Sequence, residues 1–212
     1  MRIRRFPLGM LWTNGYLVTD SRGHGVFVDP GGDPGEVLEI IEKENINLEW
    51  ILLTHGHSDH ICGLEELRQN SARGVAIHKL DASMLTSPEL NLSAFLQDNC
   101  RCAPPEKELE DCESFYAGEL HISVIHTPGH TPGSACFHIR EGQEEALLVG
   151  DTLFAGSVGR TDLPGGDQKQ LEESIRKLAA LPDDLKVYPG HGPDSTIGVE
   201  RRENPFWPGD QR

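Results

Sequence analysis

Seven residues, Thr54-His55-Gly56-His57-Ser58-Asp59-His60, follow directly on the apolar run Trp50-Ile51-Leu52-Leu53. The run is short and unbroken, which predicts a buried parallel strand. Downstream, Gly63-Leu64-Glu65-Glu66-Leu67 starts a helical pattern. The polar residues between them therefore belong to a loop that leaves the carboxyl end of a strand and enters a helix, where open α/β folds place their ligand sites. Three imidazoles and a carboxylate within six positions make poor packing filler, but they suit zinc or iron.

Three later segments carry further ligand-type side chains. His130 lies in the Gly/Pro-rich turn Thr127-Pro128-Gly129-His130-Thr131-Pro132-Gly133-Ser134. Asp151 follows the apolar run Ala146 to Val149, and His191 follows another short strand in Val187-Tyr188-Pro189-Gly190-His191-Gly192. A strand, then H-x-H-x-D-H, then histidine, aspartate and histidine in that order resembles the signature of the metallo-β-lactamase superfamily over nearly the whole chain. The resemblance implies an α/β fold, the four-layered αβ/βα sandwich, with metals between the edges of its sheets. It also implies that His55, His57 and His130 hold one ion, that Asp59, His60 and His191 hold a second, and that Asp151 bridges them about 3.5–4 Å apart. The cofactors expected are two divalent ions, zinc foremost, with iron or manganese compatible with the same donors.

Within the superfamily, four stretches resemble the short bacterial glyoxalase II-like hydrolases: Val28-Asp29-Pro30-Gly31-Gly32, residues 156–162, residues 191–196 and the ending from Gly198 to Phe206. That likeness implies hydrolysis of an acyl thioester such as S-lactoylglutathione by a hydroxide bridging two metal ions. Asp59 and Asp151 would be the catalytic carboxylates that orient the hydroxide and accept its proton. The expected partner is a small-molecule acyl thioester or ester. Full-length glyoxalase II grips glutathione with a helical domain after the last histidine, whereas 21 residues follow His191 here, so a weaker hold on glutathione is expected. An alternative is a mononuclear iron persulfide dioxygenase, which shares Gly159-Arg160-Thr161-Asp162 and in which His55, His130 and Asp151 would hold a single iron. Arg160 either orders the loop beneath the metals or meets an anionic substrate group. Asp29 is either a turn residue or a carboxylate that supports a ligand histidine.

Length and charge set the remaining expectations. The 212 residues suit one domain spanning 1–212, built of two αβ halves at about 1–115 and 116–212. Nineteen basic residues against 34 acidic ones leave a formal charge of −15, which disfavours polyanions, so no nucleic acid partner is expected. No 18-residue apolar run offers a membrane span. The basic start, Met1-Arg2-Ile3-Arg4-Arg5-Phe6-Pro7-Leu8, is interrupted by Pro7 and Gly9 and reads as an edge strand rather than a leader, so a cytoplasmic protein is expected. Five cysteines without secretory context predict reduced thiols. Cys100, Cys102 and Cys112 lack the usual C-x2-C spacing of a structural zinc site and a nearby fourth ligand. His24, His78, His121, His126 and His138 have no partners at ligand spacing and take structural or solvent roles.

Hydrophobic periodicity places strands near 2–8, 14–19 and 25–29, then a helix with Asp33 as N-cap, Pro34 at its first position and Val37, Ile40 and Ile41 buried. After residue 118 the pattern returns: strands near 119–126, 134–139 and 145–150, a helix from about 168 to 180 capped by Asp167, and a strand at 185–189. Residues 80–117 allow helical turns at Leu85, Leu90, Leu92, Phe95 and Leu96, broken at Cys102-Ala103-Pro104-Pro105-Glu106, and are expected to border the site. Phe206 and Trp207 are expected to lock the C-terminal tail on the core.

Overall fold

A computed structural model describes residues 1–96 and 99–208. Residues 97 and 98 and the Leu96 side chain, within the expected helical turns, and residues 209–212, at the end of the expected domain, lie outside the described residues.

Strands β1 (Arg2–Leu8), β2 (Thr13–Thr19) and β3 (His24–Val28) form an antiparallel meander with β1 at the sheet edge. Helix α1 (Gly35–Lys43) then carries the chain to β4 (Asn47–Leu53), which pairs parallel to β3. The short helices α2 (Ser58–Ile61) and α3 (Leu64–Arg68) lead to β5 (Val75–His78), and β6 (Lys107–Leu109) completes a six-stranded sheet in sequence order. Helix α1 begins one residue later than its sequence suggests. Pro34 occupies the cap position, and Asp33 accepts the Gly35 N–H through Oδ1 at 2.8 Å, so the carboxylate caps from one residue upstream.

The second sheet starts with β7 (Ser114–Ala117), β8 (Leu120–His126), β9 (Ala135–Glu141) and β10 (Glu144–Gly150), all antiparallel neighbours. A small hairpin of β11 (Leu153–Phe154) and β12 (Ser157–Val158) precedes helix α4 (Gln168–Leu178). Strand β13 (Lys186–Pro189) returns parallel to β10, β14 (Ser195–Thr196) takes the edge, and α5 (Ile197–Glu203) follows. Asp167 caps α4 as expected, accepting the Gln170 N–H at 3.0 Å. The chain passes from one sheet to the other between Leu109 and Ser114.

Alternation along the strands builds four layers. On β2, β3 and β4, Leu17, Phe27, Ile51 and Leu53 point one way, onto Val37 and Ile41 of α1 and onto Ile61, Leu64 and Leu67. Their neighbours Tyr16, Val18, Val26, Val28 and Leu52 point the other way and meet Ile122, Val124, Phe137, Ile139 and Leu148 of the second sheet. Cys136, Leu147 and Val149 then face outward onto Ile175 and Leu178 of α4 and onto Ile197. The result is an αβ/βα sandwich, in agreement with the fold implied by the motif order.

At the tail, Trp207 packs against the outer cluster with Arg201 above its ring, but Phe206 is 58% exposed and does not lock onto the core. Cys102 is buried and Cys112 exposed, and among the described residues no cysteine joins a group of three or more potential metal ligands.

Candidate metal centre

All seven residues singled out in the sequence meet at one end of the sandwich, where β4, β8, β10 and β13 end at their carboxyl sides. His55 and His57 lie in the loop after β4, whereas Asp59 and His60 fall on the first turn of α2, so the motif is half loop and half helix. The turn rotates successive side chains apart, letting one segment present ligands in two directions. The rings of His55, His57 and His130 form a triangle, with centroids 4.7–4.8 Å apart and planes at 81–87°. On the other side His60 and His191 approach within 5.5 Å, with Asp59 between them. Asp151 reaches both groups: Oδ1 lies 3.4 Å from His60 Nε2, and Oδ2 lies 3.6 Å from both His130 Nε2 and His191 Nε2.

Hydrogen bonds behind the histidines fix which nitrogen faces inward. A carboxylate and a carbonyl can only accept, so His60 donates from Nδ1 to Asp29 Oδ2 at 2.9 Å and His130 donates from Nδ1 to the Arg160 carbonyl at 2.8 Å. Thr54 gives its hydroxyl proton to Asp29 at 2.6 Å, leaving its oxygen to accept from His55 Nδ1 at 3.1 Å. In His55 and His130 Nε2 is thereby left as an inward-facing lone pair, the form that binds a metal, and in His60 Nε2 is the nitrogen turned to Asp59 and Asp151. Asp29 is thus both of the things its sequence allowed: a residue at φ 55° in a turn and the carboxylate behind His60. Arg160 orders the loop through its backbone, while its side chain pairs with Asp162.

The donor set fits a divalent cation. His55 Nε2, His60 Nε2 and Asp151 Oδ1 are buried without a hydrogen-bond partner, which interiors avoid unless another group claims those atoms, and His57 turns its Nδ1 to the cluster, 3.0 Å from His130 Nε2. Burial, and then the charge of His130, brings His57 down to about 3, and burial likewise holds His55 well below the usual histidine range. Both are therefore neutral at ordinary pH, the state in which imidazole can bind a metal. Burial opposes charge on His60 too, but Asp59, Asp151 and Asp29 outweigh it and raise that histidine, so this half of the site favours positive charge. Asp59 and Asp151 lie below the usual carboxylate range, since His60 and His191 overcome the effect of their burial. A compact cation facing these carboxylates and lone pairs satisfies both halves.

Several supporting residues carry no signature in the sequence. Asp81, fully buried after β5, accepts from the Gly56 N–H at 3.1 Å, the Thr131 hydroxyl at 2.7 Å and the Gly133 N–H at 2.7 Å. It braces the loop of His55 and His57 against the loop of His130. Thr13, on β2, donates its hydroxyl to Asp59 Oδ2 at 3.1 Å. Asn14 donates through Nδ2 to the carbonyls of Pro189 and Gly192, and Tyr16 donates its hydroxyl to Pro189, so the first sheet anchors the loop of His191. Gly190 is required here because a Cβ would collide with Asp151 and His60. The other five histidines lie outside the cluster: His24 bonds Glu49, His138 bonds Glu145, His121 meets Arg140, and His78 stacks on His126.

Above His57, Asp59, His130, Asp151 and His191 opens a cavity of about 740 Å³, bordered by the β1–β2 turn, residues 91–95, the β11–β12 hairpin and residues 160–164. The segment between the halves does border the site, through Asn91, Leu92 and Phe95.

Comparison with known proteins gives a consistent picture. The sequence model of the metallo-beta-lactamase superfamily matches residues 11–191. The probable metallo-hydrolase YqgX of Bacillus subtilis is 35% identical, covering 97% of each chain. The hydroxyacylglutathione hydrolase GloC of Haemophilus influenzae is 37% identical, covering 97% of this chain and 98% of its own. Among solved structures, the BLEG-1 B3 metallo-beta-lactamase superposes with a TM-score of 0.92 at 37% identity, covering 98% of this chain and 100% of its own. TTHA1623 in a di-iron-bound form gives 0.83 at 37%, with 96% and 99% covered. ETHE1 from Myxococcus xanthus gives 0.77 at 27%, with 97% and 84% covered.

Proposed function

Because this chain belongs to the metallo-β-lactamase superfamily, we propose that it is a metal-dependent hydrolase of acyl thioesters, of the kind represented by S-lactoylglutathione. The observation that carries this is the convergence of seven buried or half-buried donors, three of them with unpaired atoms in the cluster and five of them lining a cavity large enough for a small acyl compound. The 37% identity to GloC supports the thioester class.

In this proposal one domain carries the whole site. His55, His57 and His130 would hold one ion and Asp59, His60 and His191 another, with Asp151 within reach of both groups. Two such ions lower the pKa of water and polarise the acyl carbonyl. The chain's own part is to position and to accept. Asp59 and Asp151 stay ionised at neutral pH, so each can accept a hydrogen bond from a water at the cavity floor and orient it towards the substrate carbon. The Thr13 hydroxyl on Asp59 Oδ2 and the Asp29 carboxylate behind His60 keep those groups from turning away. The ionised carboxylates then take the proton as the acyl–sulfur bond breaks. The rim above limits bulk water once a substrate is seated.

The likeness to ETHE1 and the shared Gly159-Arg160-Thr161-Asp162 support a second reading, an iron persulfide dioxygenase using His55, His130 and Asp151. The complete second set, Asp59, His60 and His191, favours the hydrolase. Assaying purified protein with S-lactoylglutathione, and separately with glutathione persulfide in an oxygen electrode, tests the choice. Thioester cleavage without oxygen uptake is expected; persulfide-dependent oxygen consumption without thioester cleavage would reverse it.

A further inference from the structure

We propose that the cavity selects acyl thioesters or esters whose non-reacting part is apolar and uncharged, and that it gives no specific hold to an anionic, peptide-like thiol such as glutathione; this rests on the hydrolase reading above.

Each wall of the cavity contributes a large apolar side chain. Leu11 enters from the β1–β2 turn, Leu92 and Phe95 from the segment between the sheets, Phe154 from the β11–β12 hairpin, and Leu163 and Pro164 from the loop before α4. Two of these stand open at the rim, Phe95 at 75% and Leu11 at 55% exposure. Large apolar side chains grouped around a concave site gain by being covered, and a bound apolar group is what covers them.

The polar inventory points the same way. Glutathione carries two carboxylates, which proteins hold with charge-assisted bonds from arginine or lysine. Among the described lining residues, the cation outside the histidines is Arg160, and two of its guanidinium N–H groups are already committed to Asp162 at 2.7 Å each. The Asn91 amide donates to the carbonyls of Met84 and Cys100. A formal charge of −15 adds a field that repels anions. S-lactoylglutathione would then be bound through its acyl end, with the peptide portion left in solvent.

The test is kcat/KM of the metal-loaded protein on acetyl, butanoyl and hexanoyl thioesters of N-acetylcysteamine, and on the butanoyl thioester of glutathione. We expect a rise of about fourfold per added methylene, the equivalent of about 0.8 kcal/mol each. The glutathione thioester should be no better than its N-acetylcysteamine counterpart. In the Phe95→Ala and Leu11→Ala variants the chain-length slope should flatten. A flat series in the unaltered protein, or a tenfold or greater preference for the glutathione thioester, would overturn apolar selection while leaving the hydrolase standing. Failure of the metal-loaded protein to cleave any of the four would overturn the hydrolase and this inference with it.

Discussion

Asp29→Asn isolates the step in which a carboxylate sets the tautomer of a ligand. Asp29 sits at φ 55°, a backbone conformation that asparagine adopts as readily as aspartate, so the turn itself should survive. Its Oδ1 accepts the Thr54 N–H at 2.8 Å, and its Oδ2 accepts both the Thr54 hydroxyl and His60 Nδ1–H. An asparagine can enter in two orientations. With its NH2 towards the Thr54 amide, two donors face each other in the interior, leaving a buried N–H unpaired at about 1–3 kcal/mol. With its NH2 in the place of Oδ2, the Thr54 hydroxyl turns to accept and His60 Nδ1 accepts as well, at the expense of moving the His60 proton to Nε2. The second orientation keeps the Thr54 N–H paired and leaves only the proton of the Thr54 hydroxyl, which can rotate away, without its acceptor, so it should prevail. It also ties the ring's proton to the nitrogen that faces Asp59 and Asp151 at 3.5 and 3.4 Å, so a metal can bind there only by forcing a proton back onto Nδ1, against the amide NH2. Loss of such a supporting bond lowers metal affinity by about 10–100-fold, or about 1.4–2.7 kcal/mol. Titrating metal-free protein against a competing chelator reads this directly, with the thermal midpoint of the metal-free form as control. Weaker binding of one ion with the midpoint held within a few degrees is expected. Unchanged affinity for both ions would refute the assignment of Asp29 as the group that holds the His60 tautomer.

Three further perturbations have defined outcomes. Asp81→Ala strands the buried Gly56 and Gly133 amides, while Thr131 can still turn to Ser134 Oγ at 2.7 Å. At about 1–3 kcal/mol for each stranded donor, partly offset by relief of a buried charge whose pKa burial already raises, the metal-free midpoint should fall by about 5–15 °C; a calorimetric scan with no shift would contradict the brace. Burial, and then His126, brings His78 down to about 4, below its unfolded value of about 6.5. The unfolded chain therefore binds the proton more readily between those values, and stability is present above about pH 6.5 and lost as pH falls towards 4; NMR should place the His78 midpoint near 4, and His78→Gln should lose less stability over that window. Burial pushes the Cys136 thiol up to about 11, so iodoacetamide at pH 8 should modify exposed Cys112 and spare Cys136 in the folded protein, as mass spectrometry of the labelled peptides would register.

The parts of this molecule legible in its sequence are those whose physics is local. Apolar runs on β2–β4 and β10 announce strands that bury both faces, alternation on β8 announces one with a single fully buried face, and the order of H-x-H-x-D-H, His130, Asp151 and His191 brings all seven side chains to one end of the sandwich. Strands β5, β6 and β7 escape notice because each has only three or four residues, too few for a period to show, and their identity comes from pairing with β4, β5 and β8. Asp81 was invisible for a related reason. An aspartate in Lys79-Leu80-Asp81-Ala82 looks like any surface turn, and only the approach of two loops from opposite sheets encloses it. The same holds for Asn14 and Tyr16, whose partners at Pro189 and Gly192 are more than 170 positions away. Phe206 erred in the other direction: its apolar character suggested burial, but at the tail its neighbour Trp207 makes the packing contact and leaves it exposed.

The most direct measurement of the central claim counts metal ions and thioester cleavage in one preparation: as purified, after exhaustive chelation, and after divalent metal is restored. The expected result is two ions per chain, cleavage that disappears with them, and recovery that follows their return. Undiminished thioester cleavage by protein shown to be free of metal would contradict it.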